Sequence, residues 1–421
     1  MAPVLGGAGA LYGGGQRRRW SRRERVRQAV KQVMEQPSGA SVVIVGGGVT
    51  GLSAGWWLAR EGVDVLVIDK GMIGWEASGR NGGGCSHHHS PLFLEEQRLW
   101  PQMDELLGYP TEFSGGRIRL AATELQMALY GRALRNAERQ GFQSDVLDVK
   151  QIKELVPLAG DTMIGGYFYR FGGHANPHRT LQAYAWALQD HGGRLMQHCA
   201  VSGFRTQGGR VIGVETQRGF IACDHLVLAA GPQTGVLSGL LGQEVPVASA
   251  RCEMIVTEPL PLMPYGGVDG NGLYGRQTLR GNLAYGGGPH EWLEIEGNAT
   301  PAKPTSPLMG PMARRLAELF PKAAHARVIR SWAGVIENTP DGRPVIDRLD
   351  TQANVVVATL SSVGFGLSPA SGRAIRDLVV DGACSFADIS SFRLARFAEL
   401  EPDWRELQGW QALAAQEATA A

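Results

Sequence analysis

Gly46, Gly48 and Gly51 fall in the run Gly46-Gly47-Gly48-Val49-Thr50-Gly51, a GxGxxG spacing, and Asp69 follows 23 positions after Gly46. Residues of these types at this spacing bind the phosphates and one ribose of a dinucleotide. A glycine at 46 permits a tight turn, one at 48 lets a pyrophosphate reach the backbone, and one at 51 lets helix and strand pack closely. The helix that opens there offers free N–H groups and partial positive charge to the phosphates. Asp69 accepts hydrogen bonds from a ribose hydroxyl and repels a phosphorylated ribose, which argues against NADP. The motif alone serves FAD and NAD equally.

The flanking residues supply the elements that must position this motif. Ser41 to Val45 is a buried-strand run, Leu52 to Glu61 is helical, and Val63 to Ile68 is a second strand ending at Asp69. In that order of strand, turn, helix, strand and acid, GxGxxG is specific. A polar, glycine-rich loop follows: Gly74-Trp75-Glu76-Ala77-Ser78-Gly79-Arg80-Asn81-Gly82-Gly83-Gly84. NAD needs no such loop there. A flavin does, because its ribityl chain and ring extend past that point and need close backbone approach. Leu226 to Ala230, before Gly231, is an uninterrupted apolar run, as a buried parallel strand requires.

Other chemistry is poorly supported. His87-His88-His89 lacks a nearby carboxylate, and consecutive histidines project in different directions, so a metal site is not expected. A covalent flavin link through one of them, or through Cys85, is a weaker reading than ordinary loop residues near the ring. The five cysteines are scattered without a CxxC pair, which speaks against a disulfide framework, a zinc site or an iron–sulfur cluster. No Ser/His/Asp or Cys/His constellation stands out. The chain's 421 residues suffice for two domains, 41 basic and 40 acidic residues nearly cancel, and no run of 18 apolar residues occurs. That balance suggests no polyanionic partner and no nucleic-acid binding. Residues 1–38 form a basic leader rich in arginine, expected to be solvated and partly disordered. An organellar transit peptide and contact with an anionic membrane surface are its other readings.

Together these stretches resemble the D-amino-acid oxidase (DAO) superfamily of FAD-dependent amine and amino-acid oxidoreductases, from about Ser41 to Gly382. Gly173-His174-Ala175-Asn176-Pro177 before the helix Thr180 to His191 is similar to the family's return into the FAD domain. Gly209 to Val214 and Asp224 to Pro232 resemble its β-ribbon and strand end. Thr339 to Ile346, then the strand Asn354 to Ala358, then Gly364-Phe365-Gly366-Leu367-Ser368-Pro369 opening the helix Ala370 to Val380, resemble the block that faces the flavin. A helix N-terminus there stabilises the charge that a reduced flavin gathers. The resemblance implies FAD contacts at Gly46, Gly48, Val49, Thr50, Gly51, Asp69, Lys70, Ser78, Arg80, Asn81, Gly82 and Gly83, then at Val201 near the adenine, Ala230, Gly231, Gly334, Gly364, Phe365, Gly366 and Leu367. It implies an α/β protein, α+β overall, with a discontinuous Rossmann-type FAD-binding domain (39–86, 173–246 and 328–384). A smaller antiparallel-sheet substrate domain (87–172 and 247–327) covers the flavin, and residues 385–421 form a C-terminal tail.

Val256 to Pro261, Tyr274 to Thr278 and Gly286-Gly287 look most like the flavin-bearing β subunits of hetero-oligomeric opine oxidases and D-hydroxyproline dehydrogenase. This implies oxidation of the C–N bond of a small amine, amino acid or opine-like imino acid, with hydride passing to flavin N5. It also implies a separate electron-accepting subunit. One departure matters: in the family's glycine and D-amino-acid oxidases an arginine two residues after "WAG" clamps the substrate carboxylate. Here Trp332-Ala333-Gly334 is followed by Val335 and Ile336. Isoleucine cannot replace a guanidinium fork, so Arg276 is the first candidate for that task and Arg119 the second. Tyr274 and Trp332 are candidate pocket walls, and Arg276, Tyr274 and Gly364 form the expected catalytic set. Two other readings are an oxygen-using glycine- or sarcosine-type oxidase and a FAD-bearing electron-relay or RNA-modification subunit. A cytoplasmic location is expected, with peripheral membrane association as its variant.

Overall fold

The structure is a computed structural model in which Ser21, residues 37–288, 290–293 and 306–407 are described. Most of the basic leader and the end of the C-terminal tail lie outside them.

The first strand, Gly39–Val45, pairs in parallel with Val65–Ile68 on one side and Gly219–Leu228 on the other. Arg194–Met196 and Val355–Thr359 extend this parallel sheet outward, and Val345–Arg348 closes one edge antiparallel. Its central segments Val42–Val45, Val65–Ile68, Leu226–Leu228 and Val355–Ala358 are apolar throughout because both faces are covered. Successive side chains alternate between the faces. Val42, Ile44, Val65, Val67, Val227 and Val356 pack on one face, under the helices Val49–Arg60, Pro177–Asp190 and Gly364–Val380. Val43, Val45, Leu66, Ile68, Leu226 and Val357 pack on the other. That second face is roofed by Val211, Val214 and Ile221 of the antiparallel ribbon Val201–Gln207, Arg210–Thr216 and Gly219–Leu228.

Two helices lock together over one face of this sheet. A Cβ on Gly372 would lie 2.1 Å from Ser53 Oγ, so the last helix presses directly on the first. Ser53 Oγ donates to the Ser368 carbonyl and the Trp57 indole N–H to that of Pro369, at 2.7 and 2.9 Å. The last helix begins at Gly364, well before the expected Ala370. Gly366 and Pro369 have poor helix propensity, but packing against the first helix outweighs it. The first helix likewise starts at Val49 rather than Leu52.

The rest forms two smaller sheets. One is antiparallel: Leu273–Gln277, Asn282–Gly287, Ala248–Pro259 and Glu291–Leu293, with Val328–Asn338 also on Ala248–Pro259. The other sets Ser114–Ala121 between Gly165–His174 and the short Val268–Asp269, with Ser144–Leu147 beyond; its Val268–Asp269 pairing is parallel. Three segments sit differently from the expected boundaries. Val328–Asn338 joins the small sheet by hydrogen bonding, because it pairs with Ala248–Thr257 along its length. Leu92, Leu99, Trp100, Met103 and Leu107 pack into the same core as the helices Val49–Arg60, Pro177–Asp190 and Gly364–Val380. Phe392 and Leu394, expected in a tail, are buried in the two cores of the large sheet. Among the described residues no helix is long and apolar enough to cross a membrane.

Candidate cofactor and substrate site

At the carboxyl ends of the parallel strands the first turn is made almost wholly of backbone. Gly46 has φ +111° and a Cβ there would stand 2.1 Å from the Ala229 carbonyl oxygen, so only glycine fits. A Cβ on Gly51 would meet the Gly46 oxygen at 2.0 Å, which is the close helix–strand contact expected of the motif's third glycine. Gly48 differs, since a Cβ there would meet only Ser78 Oγ, at 3.0 Å. The protein leaves the space above Gly48 for something else.

Asp69 is aimed by two backbone donors: Gly47 N–H reaches Oδ2 and Gly71 N–H reaches Oδ1, both at 2.7 Å. Each oxygen retains acceptor capacity for a ribose hydroxyl. Ser78 Oγ accepts the Val49 N–H at 3.0 Å, which ties the polar loop to the start of the helix. Asn81 staples that loop from within, donating to the Ala77 and Ser78 carbonyls and accepting from Gly83 N–H.

One cleft joins these parts. It is lined by Gly46, Gly48, Val49, Thr50, Asp69, Lys70, Ser78, Asn81, Val201, Ala230, Gly231, Gly364 and Phe365, all of them expected cofactor contacts. The remaining expected contacts stand outside its lining. Gly51 packs beneath the turn. Leu367 is fully buried in the core. Gly366 is wedged against His87, and its carbonyl accepts the Trp100 indole N–H at 2.7 Å. Arg80 donates to the carbonyls of Trp75 and Ala333 at 2.6 Å, and Gly334 packs on it. Gly82 and Gly83 abut Tyr274 and Arg276. Several cleft residues escaped the sequence reading: Glu76, Cys199, Gln233, Ile336 and Glu337. Glu76 lies within the Gly74–Gly84 loop and Ile336 follows Trp332-Ala333-Gly334, yet neither position by itself signals a cofactor contact, and Glu337 stands two residues before the Thr339-Pro340 block.

Tyr274 and Arg276 lie two apart on one strand, hence on one face, against the glycine loop. Arg276 is 8 % exposed and donates to the Gly82 carbonyl at 2.7 Å. Among the described residues no carboxylate forms an ion pair with it. Burial lowers its pKa to about 10, with Glu112 pulling weakly the other way, so it is still charged at neutral pH. A buried cation left this way calls for an anion. Arg119, the second candidate, is committed elsewhere: its guanidinium stacks 4.1 Å from the centre of the Tyr130 ring and hydrogen-bonds Tyr169. Neighbouring Arg117 is paired with Asp269 at 2.5 Å.

Two histidines, one beside Arg276 and one beside Tyr274, are given no chemical role by the sequence. His174 has a buried Nδ1 without a hydrogen-bond partner, and burial followed by Arg276 and Arg117 lowers its pKa to about 3. His290 Nε2 lies 3.5 Å from Tyr274 Oη, and burial lowers its pKa to about 4. Both imidazoles are neutral at physiological pH. His87 is bound through Nδ1 to the fully buried Glu96 at 2.7 Å. A carboxylate therefore does stand beside the histidine run, brought there by the helix that follows it, yet the described residues hold no cluster fit for a metal ion. Trp332 donates its indole N–H to the Arg80 carbonyl at 2.9 Å.

Residues 41–378 match the DAO family, described as FAD dependent oxidoreductase. The chain is 29 % identical over 382 residues to the beta subunit of sarcosine oxidase from Rhodobacter capsulatus, covering 85 % of this chain and 88 % of that one. It is 27 % identical over 392 residues to the B subunit of opine oxidase from Rhizobium meliloti, covering 85 % and 97 %. The L-proline dehydrogenase structure from P. horikoshii superposes with a TM-score of 0.79 at 23 % identity, covering 87 % of this chain and all of that one.

Proposed function

The chain belongs to the DAO family of FAD-dependent oxidoreductases, and from that premise we propose that it oxidises the C–N bond of a small amino acid or secondary amino acid held by Arg276. The residues present fit the cofactor: a glycine turn open above Gly48, an aimed Asp69, and a helix start at Gly364 share one cleft. The backbone at 46–51 would hold the pyrophosphate, Asp69 a ribose, and the 78–83 loop with the 364 turn the flavin end. Bound FAD supplies the two-electron acceptor for the hydride leaving the substrate's α-carbon.

The observation that carries the substrate assignment is the buried, carboxylate-free guanidinium of Arg276 beside the glycine loop. Its fork would take the substrate carboxylate and fix the α-carbon over the ring, a positioning contribution. Amino acids arrive as ammonium ions, and the nitrogen must lose a proton before hydride leaves. Relatives that oxidise sarcosine and opines support a secondary amine.

The test is anaerobic flavin bleaching with a panel of D- and L-amino acids, N-methyl amino acids and opines. Wild type and Arg276→Gln would be compared with each substrate and with its decarboxylated amine. The variant should fail selectively on the carboxylates; equal loss on both series overturns the assignment. We further propose that the chain works in the cytoplasm with a second, electron-accepting subunit, a reading supported by the subunit names of its relatives and by five unpaired cysteines. Ample hydrogen peroxide formation by the purified chain alone would count against that partner.

A further inference from the structure

The cofactor cleft poses a charge problem. It must accept a doubly negative pyrophosphate, yet Asp69, Glu76 and Glu337 all line it, and among the described residues Lys70 is the one cation in its wall. Asp69 has a ribose to bind. Glu337 has no such task, and it sits between the Gly231 turn and the opening of the last helix.

Its environment is built in detail. Glu337 is the next-to-last residue of the strand Val328–Asn338, with Ser249 opposite it on the neighbouring strand. Oε1 accepts from Thr359 Oγ1 and from the Leu360 N–H, both at 3.2 Å. Oε2 lies 3.9 Å from where a Cβ on Gly231 would stand. The next residues carry the same junction: Thr339 N–H donates to Ser361 Oγ and Ser362 Oγ to Asn338 Oδ1, each at 3.2 Å. Ser361 and Ser362 have φ of +47° and +65°, a strained turn that these bonds hold in place immediately before Gly364. The surrounding segments, Ser249, Ala230–Gln233, Thr359 and Leu360–Gly364, contain no charged or titratable side chain.

We propose that Glu337 is a cofactor-binding residue: its carboxylic acid uses Oε1 to anchor the turn and donates its O–H to an oxygen of the FAD pyrophosphate or ribityl chain. A neutral acid turns a repulsive wall into a donor. Burial raises the Glu337 pKa and outweighs the opposing pull of its own backbone N–H, the Leu360 N–H and the Thr359 hydroxyl, and no cation adds to that pull. The acid is therefore protonated below its raised pKa and lost as pH climbs through it, so flavin affinity falls with rising pH.

The test is titration of the flavin-stripped protein with FAD, followed by fluorescence quenching, between pH 6 and 8.5. Wild-type affinity should weaken as pH rises. Glu337→Gln keeps an acceptor for Thr359 and Leu360 and offers a permanent N–H donor; it should bind within about twofold of wild type at pH 6 and show no pH trend. Glu337→Ala should bind about tenfold more weakly at pH 6. Wild-type affinity that rises with pH, or a Gln variant far weaker than wild type, would show a carboxylate acceptor instead. Should the Ala variant fail to fold, the Gln variant and the wild-type pH trend decide the matter. Identical pH trends in wild type and Glu337→Gln overturn the proposal.

Discussion

Around Gly46–Gly51 the binding surface is made of backbone, whereas around Arg276 it is made of side chains. The first region needs three glycines, one acid and a helix start, all within about two dozen residues of one another. Close backbone neighbours enforce it: the Ala229 oxygen excludes a side chain at Gly46, and the Gly46 oxygen excludes one at Gly51. The second region gathers Gly82, His174, Tyr274, Arg276 and His290 from loops and strands of three separate stretches. It is held by side-chain contacts such as the Arg276 bond to the Gly82 carbonyl, and among the described residues no carboxylate ion-pairs with that buried guanidinium. A backbone site keeps its ligand class while sequences drift; a side-chain site changes substrate with one residue. The two should therefore break separately.

The largest effect belongs to the backbone side. Gly48→Glu places a carboxylate in the space that a pyrophosphate must occupy, and the purified protein should be colourless, with no flavin absorbance and no uptake of added FAD. Normal flavin content in this variant would refute the placement. On the side-chain side, Arg276→Gln should leave flavin content intact and reduce kcat/KM for the carboxylate substrate by about 2–5 kcal/mol, a loss of at least about thirtyfold. Arg276→Lys should also fall well short of wild type, because one ammonium cannot reproduce a planar fork. If Arg276→Gln also bleached the protein of flavin, the two regions would not be separable and the comparison would fail.

The same contrast explains what was legible in the sequence. The nucleotide end is readable because its chemistry is local: Gly46, Gly48, Gly51 and Asp69 sit at fixed offsets, and the burial of Val42 to Val45 on both faces of the sheet follows from an unbroken apolar run. The start of the last helix was misplaced, since Gly366 and Pro369 read as a turn and only their packing under Ser53 and Trp57 makes them helical. The strand Val328–Asn338 was assigned to the nucleotide domain by its neighbours in sequence; it pairs with Ala248–Thr257, and pairing at that range leaves no local trace. Arg276 was reached by exclusion, through a missing arginine after Trp332-Ala333-Gly334. His174 and Glu337 lie in or beside stretches that carry the family resemblance, but nothing in the chain order gives them or His290 a chemical role, because that comes from burial.

Burial of neutral imidazoles also makes the substrate side the acid-sensitive one. His174, with a pKa lowered to about 3 by burial, ends a strand of one small sheet; His290, lowered to about 4 by burial, precedes a strand of the other. In the unfolded chain each titrates near about 6.5. Between those values the unfolded state holds the extra proton, so stability rises with pH across the window and is lost on acidification. Lowering pH from 7 to 5.5 should remove about 1 kcal/mol through His174 alone. Urea midpoints at the two pH values measure it, and His174→Gln should shrink the drop by that share. An unchanged drop would mean that the ring is hydrated and not buried.

The smallest effect tests how far backbone and side chain can be separated at all. Ser78 couples the two, because its Oγ accepts the Val49 N–H at the first position of the helix while its own loop carries the proposed flavin contacts. Ser78→Ala leaves that N–H without its protein partner, at a cost of about 1 kcal/mol in an interior where water replaces the hydroxyl poorly. If the contact serves the cofactor end, FAD affinity should weaken about fivefold, the flavin should still bind, and KM for substrate should stay unchanged once the protein is saturated with FAD. A rise in KM at saturating FAD would mean that the polar loop transmits the position of the turn to Tyr274 and Arg276 through Gly82 and Gly83, which abut them. The loop would then be the mechanical link between two regions that otherwise answer to different physics.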